Sequence, residues 1–295
     1  DLRRTAAGPA LQRGAAIQVA YRLLRSRRRR LRARLLDGRQ PHLDADDLSQ
    51  RTRRGRRDGA FVAPLTKLMR AQLFSVAFEN LDVQAGKIVS LEPEAIVSKI
   101  VGAAGDAKRG GYCYELNGLF AMALTALQIP YFFVACRPMF YPMRRPKTHM
   151  ALVVTLGDDR YLCDLGFGSY GMRAPLALSQ VNLPQQQDFD KFRLLTPTPG
   201  DYVMQAQIDG NWVSQFGFDL HPAEWIDFMP ANYLNSTQPD TVFVQKLLLI
   251  RQHAQGRTML VGRELKHSQA GITQSRAVAE DELDAVLLQE FGLQR

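Results

Sequence analysis

Residues 109–117 read RGGYCYELN and lead directly into GLFAMALTAL at 118–127. Gly110 and Gly111 allow backbone conformations closed to other residues and leave room for a ligand to approach the main chain. Behind them Leu116, Leu119, Phe120, Met122, Ala123, Leu124 and Leu127 form a helix-compatible apolar run. The pattern predicts a helix over 114–127 with Cys113 at its start. A helix N-terminus carries a partial positive charge and free N–H groups. That setting is expected to lower the thiol pKa and favour the thiolate, the nucleophilic form. Most free cysteines are small buried hydrophobes. Here Arg109, the two glycines, Glu115 and Asn117 are poor surroundings for a filler residue.

A thiol nucleophile needs a base, and the base needs an orienting group. The chain has five histidines, at 42, 149, 221, 253 and 267, and four sit in polar or turn-like contexts. His149 instead opens the apolar, β-branched run 150–156, which reads as a buried strand. Gly157, Asp158 and Asp159 signal a turn. Residues 160–165 read as the returning strand, with Asp164 embedded in it and Gly166-Phe167-Gly168 following. A buried carboxylate needs a partner. A turn centred near Asp158 sets Asp164 opposite Leu152, three residues from His149, roughly 10 Å along the strand. Direct contact therefore requires a bulge or bend. Without Cys113, a satisfied structural role for His149 is the favoured reading.

Five blocks together resemble the arylamine N-acetyltransferases: AFENLDV (77–83), RGGYCYELN (109–117), THMAL (148–152), CDLGFG (163–168) and NSTQPDTVF (235–243). They occur in the family's order and at compatible spacings over residues 60–295. The resemblance implies an α+β protein with a papain-like cysteine-enzyme arrangement: an N-terminal helical bundle, an antiparallel β-barrel and a C-terminal α/β lid. It implies Cys113 as nucleophile, His149 as base and Asp164 as orienter. It also implies an ion pair between Glu79 and Arg109 that braces the loop, with Asn117 holding Asp164. Gly166, Phe167 and Gly168 resemble the segment lining the acyl and acceptor pocket. Ser236 and Thr237 resemble residues near the coenzyme A entrance. On residue type alone, Ser and Thr after Asn are equally cap or turn residues, and Phe167 is core-like.

What the resemblance implies chemically is acetyl transfer from acetyl-coenzyme A to arylamines, hydrazines or N-hydroxyarylamines. The route is an acetyl-cysteine intermediate with ping-pong kinetics. Acetyl-coenzyme A is then a substrate, and no permanently bound cofactor is expected. The implied setting is xenobiotic metabolism in the cytoplasm. A related amide synthase would share the triad. So would a papain-like thiol hydrolase or transglutaminase, but that reading leaves the AFENLDV and NSTQPDTVF blocks unexplained.

Composition agrees with this reading. Three cysteines, Cys113, Cys136 and Cys163, are too few and too odd for a disulfide framework. Cys136 and Cys163 read as packing residues. No Cys/His cluster suggests zinc, and no apolar run is long enough to span a bilayer. The formal charge of +9 is unevenly spread: residues 1–70 hold 19 Lys and Arg against 6 Asp and Glu, while the remainder holds 19 against 23. The basic balance therefore belongs to the N-terminal arm, with its RRRR (27–30) and RTRRGRR (51–57) runs. Such runs can bind nucleic acid or acidic membranes, but a solvated, irregular extension over 1–59 is preferred here. Nucleic acid and membrane are not expected partners. The arm also departs from the family, because 77 residues precede Phe78.

Beyond the arm, three domains are expected. Residues 60–130 read as helical and carry the nucleophile, with helices at 65–74, 92–101 and 114–127. Residues 131–222 read as a β-barrel carrying His149 and Asp164. Residues 223–295 read as an α/β lid, with a helix at 223–234, strands at 242–252 and 257–264, and a helix at 280–291.

Overall fold

The computed structural model describes residues 59–102 and 109–294. The expectation for the arm, apart from Gly59, lies outside the described residues. The fold is α+β. Helices α1 (Gly59–Ser75), α2 (Leu81–Gln84), α3 (Pro93–Ile100) and α4 (Cys113–Ala126) come first. Pro93 suits the first turn of α3, where its missing N–H would have no helical partner. In α4 every residue except Thr125 is buried. A helix apolar on all sides belongs in a core, and α4 lies between α3 and the barrel strand that begins at His149.

Strand β1 (Phe78–Glu79) interrupts the helical part. It does not stay there. Phe78 pairs with Ile250 and Glu79 with Leu249, so β1 is the edge of a five-stranded antiparallel sheet otherwise built from the C-terminal region. The helical segment and the C-terminal segment are thus stitched together by main-chain bonds, which a purely helical reading of 60–130 does not foresee.

The other sheet has eight antiparallel strands: β2 (Tyr131–Pro138), β3 (His149–Leu156), β4 (Asp159–Cys163), β5 (Leu176–Ala177), β6 (Gln185–Gln187), β7 (Asp190–Leu195), β8 (Asp201–Ile208) and β9 (Asn211–Asp219). Their order is β5-β4-β3-β2-β9-β8-β7-β6. The two ends curl towards each other: Ala177 N–H donates to Gln185 Oε1 at 3.0 Å, and Gln185 Nε2 donates back to Ala177 O at 3.3 Å. The result is a nearly closed barrel. Its wall is dry where it meets α4, with Met150 to Val154 all fully buried.

The β3–β4 hairpin differs from expectation by one position. Leu156 pairs with Asp159 across a two-residue Gly157-Asp158 turn, so Leu152 faces Cys163 instead of Asp164. Strand β4 ends at Cys163, and Asp164 lies in the bend beyond it, not within the strand. The cause is local bonding. Gly166 N–H donates to Asp164 Oδ1 at 2.8 Å, and Leu165 N–H donates to Asn117 Oδ1 at 2.8 Å. These bonds draw the backbone off the ladder.

The C-terminal part also corrects the sequence reading. The helix expected at 223–234 is a 3₁₀ turn, Trp225–Phe228, followed by α5 (Met229–Thr237). Residues 242–245 are not strand but a short helix, α6 (Val242–Gln245). Asn80 Nδ2 holds the carbonyls of Phe243 and Lys246 at 2.7 and 2.8 Å. That tertiary contact overrides the β preference of Val242, Phe243 and Val244. The ladder then runs through β10 (Leu248–His253), β11 (Gly256–Val261), β12 (Glu264–Gln269) and β13 (Ile272–Ala277). The terminal helix is shorter than expected: α7 (Leu283–Val286) continues into a π-helical turn, Leu287–Phe291.

Candidate active site

Cys113 is the first residue of α4 and is 3% exposed. Its loop is set by two backbone bonds to β1 and the residue before it: Glu79 N–H to Gly111 O at 3.0 Å and Gly111 N–H to Ala77 O at 3.3 Å. Glu115, in the first turn of α4, caps it by accepting the Tyr112 N–H at 3.0 Å. The helix start was expected to lower the thiol pKa. Burial pushes it well above its usual range instead, and the Asp164 charge adds to this; N–H groups of Tyr114 and Cys113 oppose it without prevailing. A thiolate here therefore has to be balanced by a cation that forms with it.

His149 supplies that possibility. Its Nε2 lies 2.6 Å from Asp164 Oδ2, and both side chains are almost fully buried. The bend anticipated from the sequence is what brings them together. Asp164 Oδ1 accepts Asn117 Nδ2 at 3.0 Å, and the same amide group also donates to Met150 O at 2.7 Å. One asparagine, one turn along α4 from Cys113, thus ties the helix, β3 and the Asp164 bend together. The ring of His149 packs against Phe167 and Phe216, with centroids 5.2 and 5.1 Å away. With Nε2 committed to Asp164, only Nδ1 remains for proton exchange. Thr148, just before His149, is pinned through its carbonyl by Tyr114 Oη at 2.8 Å and Asn235 Nδ2 at 3.0 Å.

Gly166 sets how closely the Asp164 bend can approach the helix start. A Cβ there would lie 2.4 Å from Cys113 Cα, 2.8 Å from Cys113 O and 3.0 Å from Asn117 Nδ2. Real Cβ atoms essentially never come that close, so the contact is open only to glycine.

Behind the loop lies a charge cluster in which Glu79 and Glu115 are buried and Asp82, Lys99 and Arg109 are partly buried. Arg109 Nη2 is 2.9 Å from Glu79 Oε1 and 3.0 Å from Asp82 Oδ1. Lys99 Nζ is 2.7 Å from both Glu115 Oε1 and Asp82 Oδ2, and 3.6 Å from Glu79 Oε1. Burial raises the Glu115 carboxyl to about 7, with Lys99 pulling against it. Burial disfavours the Lys99 charge, but Glu115, Glu79 and Asp82 together hold its pKa above the usual lysine value. Of these five, sequence reasoning tied only Glu79 and Arg109 into an ion pair and noted Glu115 only as a neighbour of Cys113. The signal for the others was the acidic character of Asp82 within AFENLDV and of Glu115 within RGGYCYELN; nothing marked Lys99.

Cys113 and His149 face one cleft. Phe78, Phe140, Phe167 and Phe243 make much of its wall, Arg145 and Tyr141 stand at one side, and Asn235 and Thr241 at another. Of the residues tied by resemblance to substrates, Gly166 and Phe167 line this cleft. Gly168 lies behind Phe167 in a smaller space, where its carbonyl accepts Gln252 Nε2 at 3.1 Å. Ser236 and Thr237 do not line the cleft. Ser236 is buried, with Oγ 3.3 Å from Val89 N and 3.2 Å from Tyr112 Oη. Thr237 bonds back to Tyr233 O at 2.7 Å within its own helix. The helical turn of α5 presents Asn235 to the cleft instead, a residue sequence reasoning passed over although it begins the NSTQPDTVF block.

A thiol at a helix start, sharing a cleft with an imidazole anchored to a carboxylate, is equipped for nucleophilic transfer through sulfur. Among the described residues no group of three His, Cys, Asp or Glu could hold a metal ion. No helix among them is long and apolar enough to cross a membrane.

Comparison with known proteins extends this. A family model described as N-acetyltransferase matches residues 62–294. The arylamine N-acetyltransferase of Mycolicibacterium smegmatis is 32% identical over 243 residues, which is 79% of this chain and 85% of that protein. The arylamine N-acetyltransferase / N-hydroxyarylamine O-acetyltransferase of Salmonella typhimurium is 29% identical over 240 residues, 79% of this chain and 82% of its own. The structure of Mycobacterium marinum arylamine N-acetyltransferase in complex with CoA matches with a TM-score of 0.73 at 29% identity, covering 83% of this chain and 90% of that one. The chain belongs to the arylamine N-acetyltransferase family and is a transferase.

Proposed function

We propose that this enzyme transfers an acetyl group from acetyl-coenzyme A to arylamines, hydrazines or N-hydroxyarylamines through an acetyl-Cys113 intermediate. The observation that carries the reading is the anchoring of His149 Nε2 by Asp164 beside a cleft that also exposes Cys113. Nδ1 takes the thiol proton, and the resulting imidazolium balances the thiolate that burial disfavours. The sulfur attacks the thioester carbonyl, and free N–H groups at the start of α4 stabilise the tetrahedral oxyanion. Coenzyme A leaves as the thiol. The acceptor nitrogen or oxygen then attacks acetyl-Cys113 while His149 removes its proton. The two half-reactions predict ping-pong kinetics.

In this reading the disposition of thiol helix and imidazole strand is papain-like. Residues 60–130 carry the nucleophile, 131–222 carry the base and its orienter, and 223–295 form the lid. The CoA-bound relative supports the donor, and the names of the Salmonella and Mycolicibacterium relatives support arylamines and N-hydroxyarylamines as acceptors. The aromatic wall of Phe78, Phe140, Phe167 and Phe243 suits a flat apolar acceptor. The test is mass spectrometry after mixing the protein with acetyl-coenzyme A. An acetyl adduct on Cys113 that is discharged by an arylamine or hydrazine supports the scheme, and Cys113→Ala is expected to abolish transfer. Retained transfer in a clean Cys113→Ala preparation would sink it.

A further inference from the structure

The charge cluster behind the nucleophile loop has a cation with no part in the scheme above. We infer that Lys99 is a positioning residue for Cys113, acting through Glu115 and the Tyr112 N–H that Glu115 holds. The inference rests on the reading of Cys113 as nucleophile. The chain of contacts is short. Lys99 Nζ meets Glu115 Oε1 at 2.7 Å, Glu115 Oε2 takes the Tyr112 N–H at 3.0 Å, and Tyr112 immediately precedes Cys113. Glu115 is 2% exposed, so no solvent is at hand to replace the ammonium.

The surroundings make Lys99 hard to replace. Three carboxylates, Glu79, Asp82 and Glu115, share two cations. Arg109 directs its contacts to Glu79 and Asp82. Among the described cations, Lys99 alone reaches Glu115 while also touching the other two. Without it, a buried carboxylate at the third position of α4 faces Glu79 and the Cys113 sulfur with no cation among the described residues against it. That unpaired charge drives the carboxyl to swing from the Tyr112 N–H, which loosens the cap that fixes where Cys113 stands. The groups facing Glu115 are Lys99 from α3, Glu79 from β1, and Tyr112 and Cys113 from its own loop; Asp82 and Arg109 lie one contact further out.

The test compares the parent with Lys99→Met, Lys99→Arg and the pair Lys99→Met/Glu115→Gln. The readout is the rate of Cys113 alkylation by iodoacetamide across pH 6 to 9, followed by peptide mass spectrometry, beside the acetyl-transfer rate. Alkylation reports the thiol without relying on any acyl donor, so a failure of acetyl transfer in the parent would count against the proposed function, not against this inference. Lys99→Met is expected to slow Cys113 alkylation at pH 7 about ten-fold and to change its pH profile. Lys99→Arg should restore most of the rate. The double variant should also recover to within about two-fold of the parent, because glutamine still accepts the Tyr112 N–H and leaves no buried charge unpaired. If Lys99→Met fails to fold, Lys99→Gln takes its place. A single variant about ten-fold slow beside a folded double variant near the parent rate supports the inference. A folded double variant about ten-fold slow, or a Lys99→Met protein with the parent's rate and pH profile, overturns it.

Discussion

Replacing Gly166 with alanine tests whether close approach of two backbones, and not only the presence of three reactive side chains, makes this site. The added methyl would stand 2.4 Å from Cys113 Cα, and ordinary contact begins at 3.4 Å. Something must therefore move by about 1 Å. The nearest atoms are Cα and O of Cys113, so side-chain rotation cannot relieve the clash. Either the helix start recedes or the Asp164 bend does, and with the bend goes the carboxylate that anchors His149. Overpacking of this kind costs about 1–3 kcal/mol of stability. A misplacement of about 1 Å in a catalytic constellation costs on the order of 100-fold in rate. The expected result is a folded protein with a lowered Tm whose Cys113 acetylation is slower by about that factor. Gly86→Ala is the control. It carries the positive-φ penalty but meets nothing within 4 Å, so it should lose some stability and no activity. A Gly166→Ala enzyme that acetylates within about three-fold of the parent rate would refute the argument.

Three further outcomes follow from the same geometry. Asp164→Asn leaves the shape intact, but its amide nitrogen cannot accept the His149 N–H; transfer should fall by roughly 10³–10⁴-fold in steady-state kinetics, with the fold kept. Asn117→Leu removes the donor to Asp164 Oδ1 and Met150 O and the acceptor of Leu165 N–H, all buried. It should destabilise the protein by about 3 kcal/mol or more in urea melts, with Cys113 acetylation slowed as well. Glu115 titrates at about 7 in the folded chain against 4.5 when free, so the folded state holds its proton more tightly. Its contribution to stability is full below about pH 4.5 and is lost as pH rises through about 7, a fall on the order of 3 kcal/mol. Glu115→Gln should flatten that part of the Tm-against-pH curve; an unchanged slope would show that another group is responsible.

Much of the site was legible because its signals are local. The helix behind Cys113 shows in its apolar residues, and its observed start differs from expectation by one position. The strand opening at His149 shows in its β-branched run. What was illegible depends on contacts between distant segments. Asp164 leaves its strand because Asn117, 47 residues earlier, bonds into the bend. Residues 242–245 coil into a helix because Asn80, more than 160 positions away, captures the carbonyls of Phe243 and of Lys246 just beyond. Phe78 and Glu79 lie in a stretch that reads as helix-rich, and only β10 makes them a strand.

The sequence by itself determined the chemistry available here: a cysteine at a helix start, a histidine at the head of a buried strand and an aspartate one hairpin away, within blocks that mark a family. Periodicity and turn chemistry act over a few residues, and a chain of 295 residues displays them without folding. Tertiary structure alone decided the electrostatics and the fit. Burial reversed the expected lowering of the thiol pKa, because desolvation outweighs what a helix start gives a sulfur 3% exposed. The turn of α5 chose Asn235 over Ser236 and Thr237 for the cleft wall. Lys99, unmarked in the sequence, became the cation at the back of the nucleophile loop because folding brought three carboxylates to it.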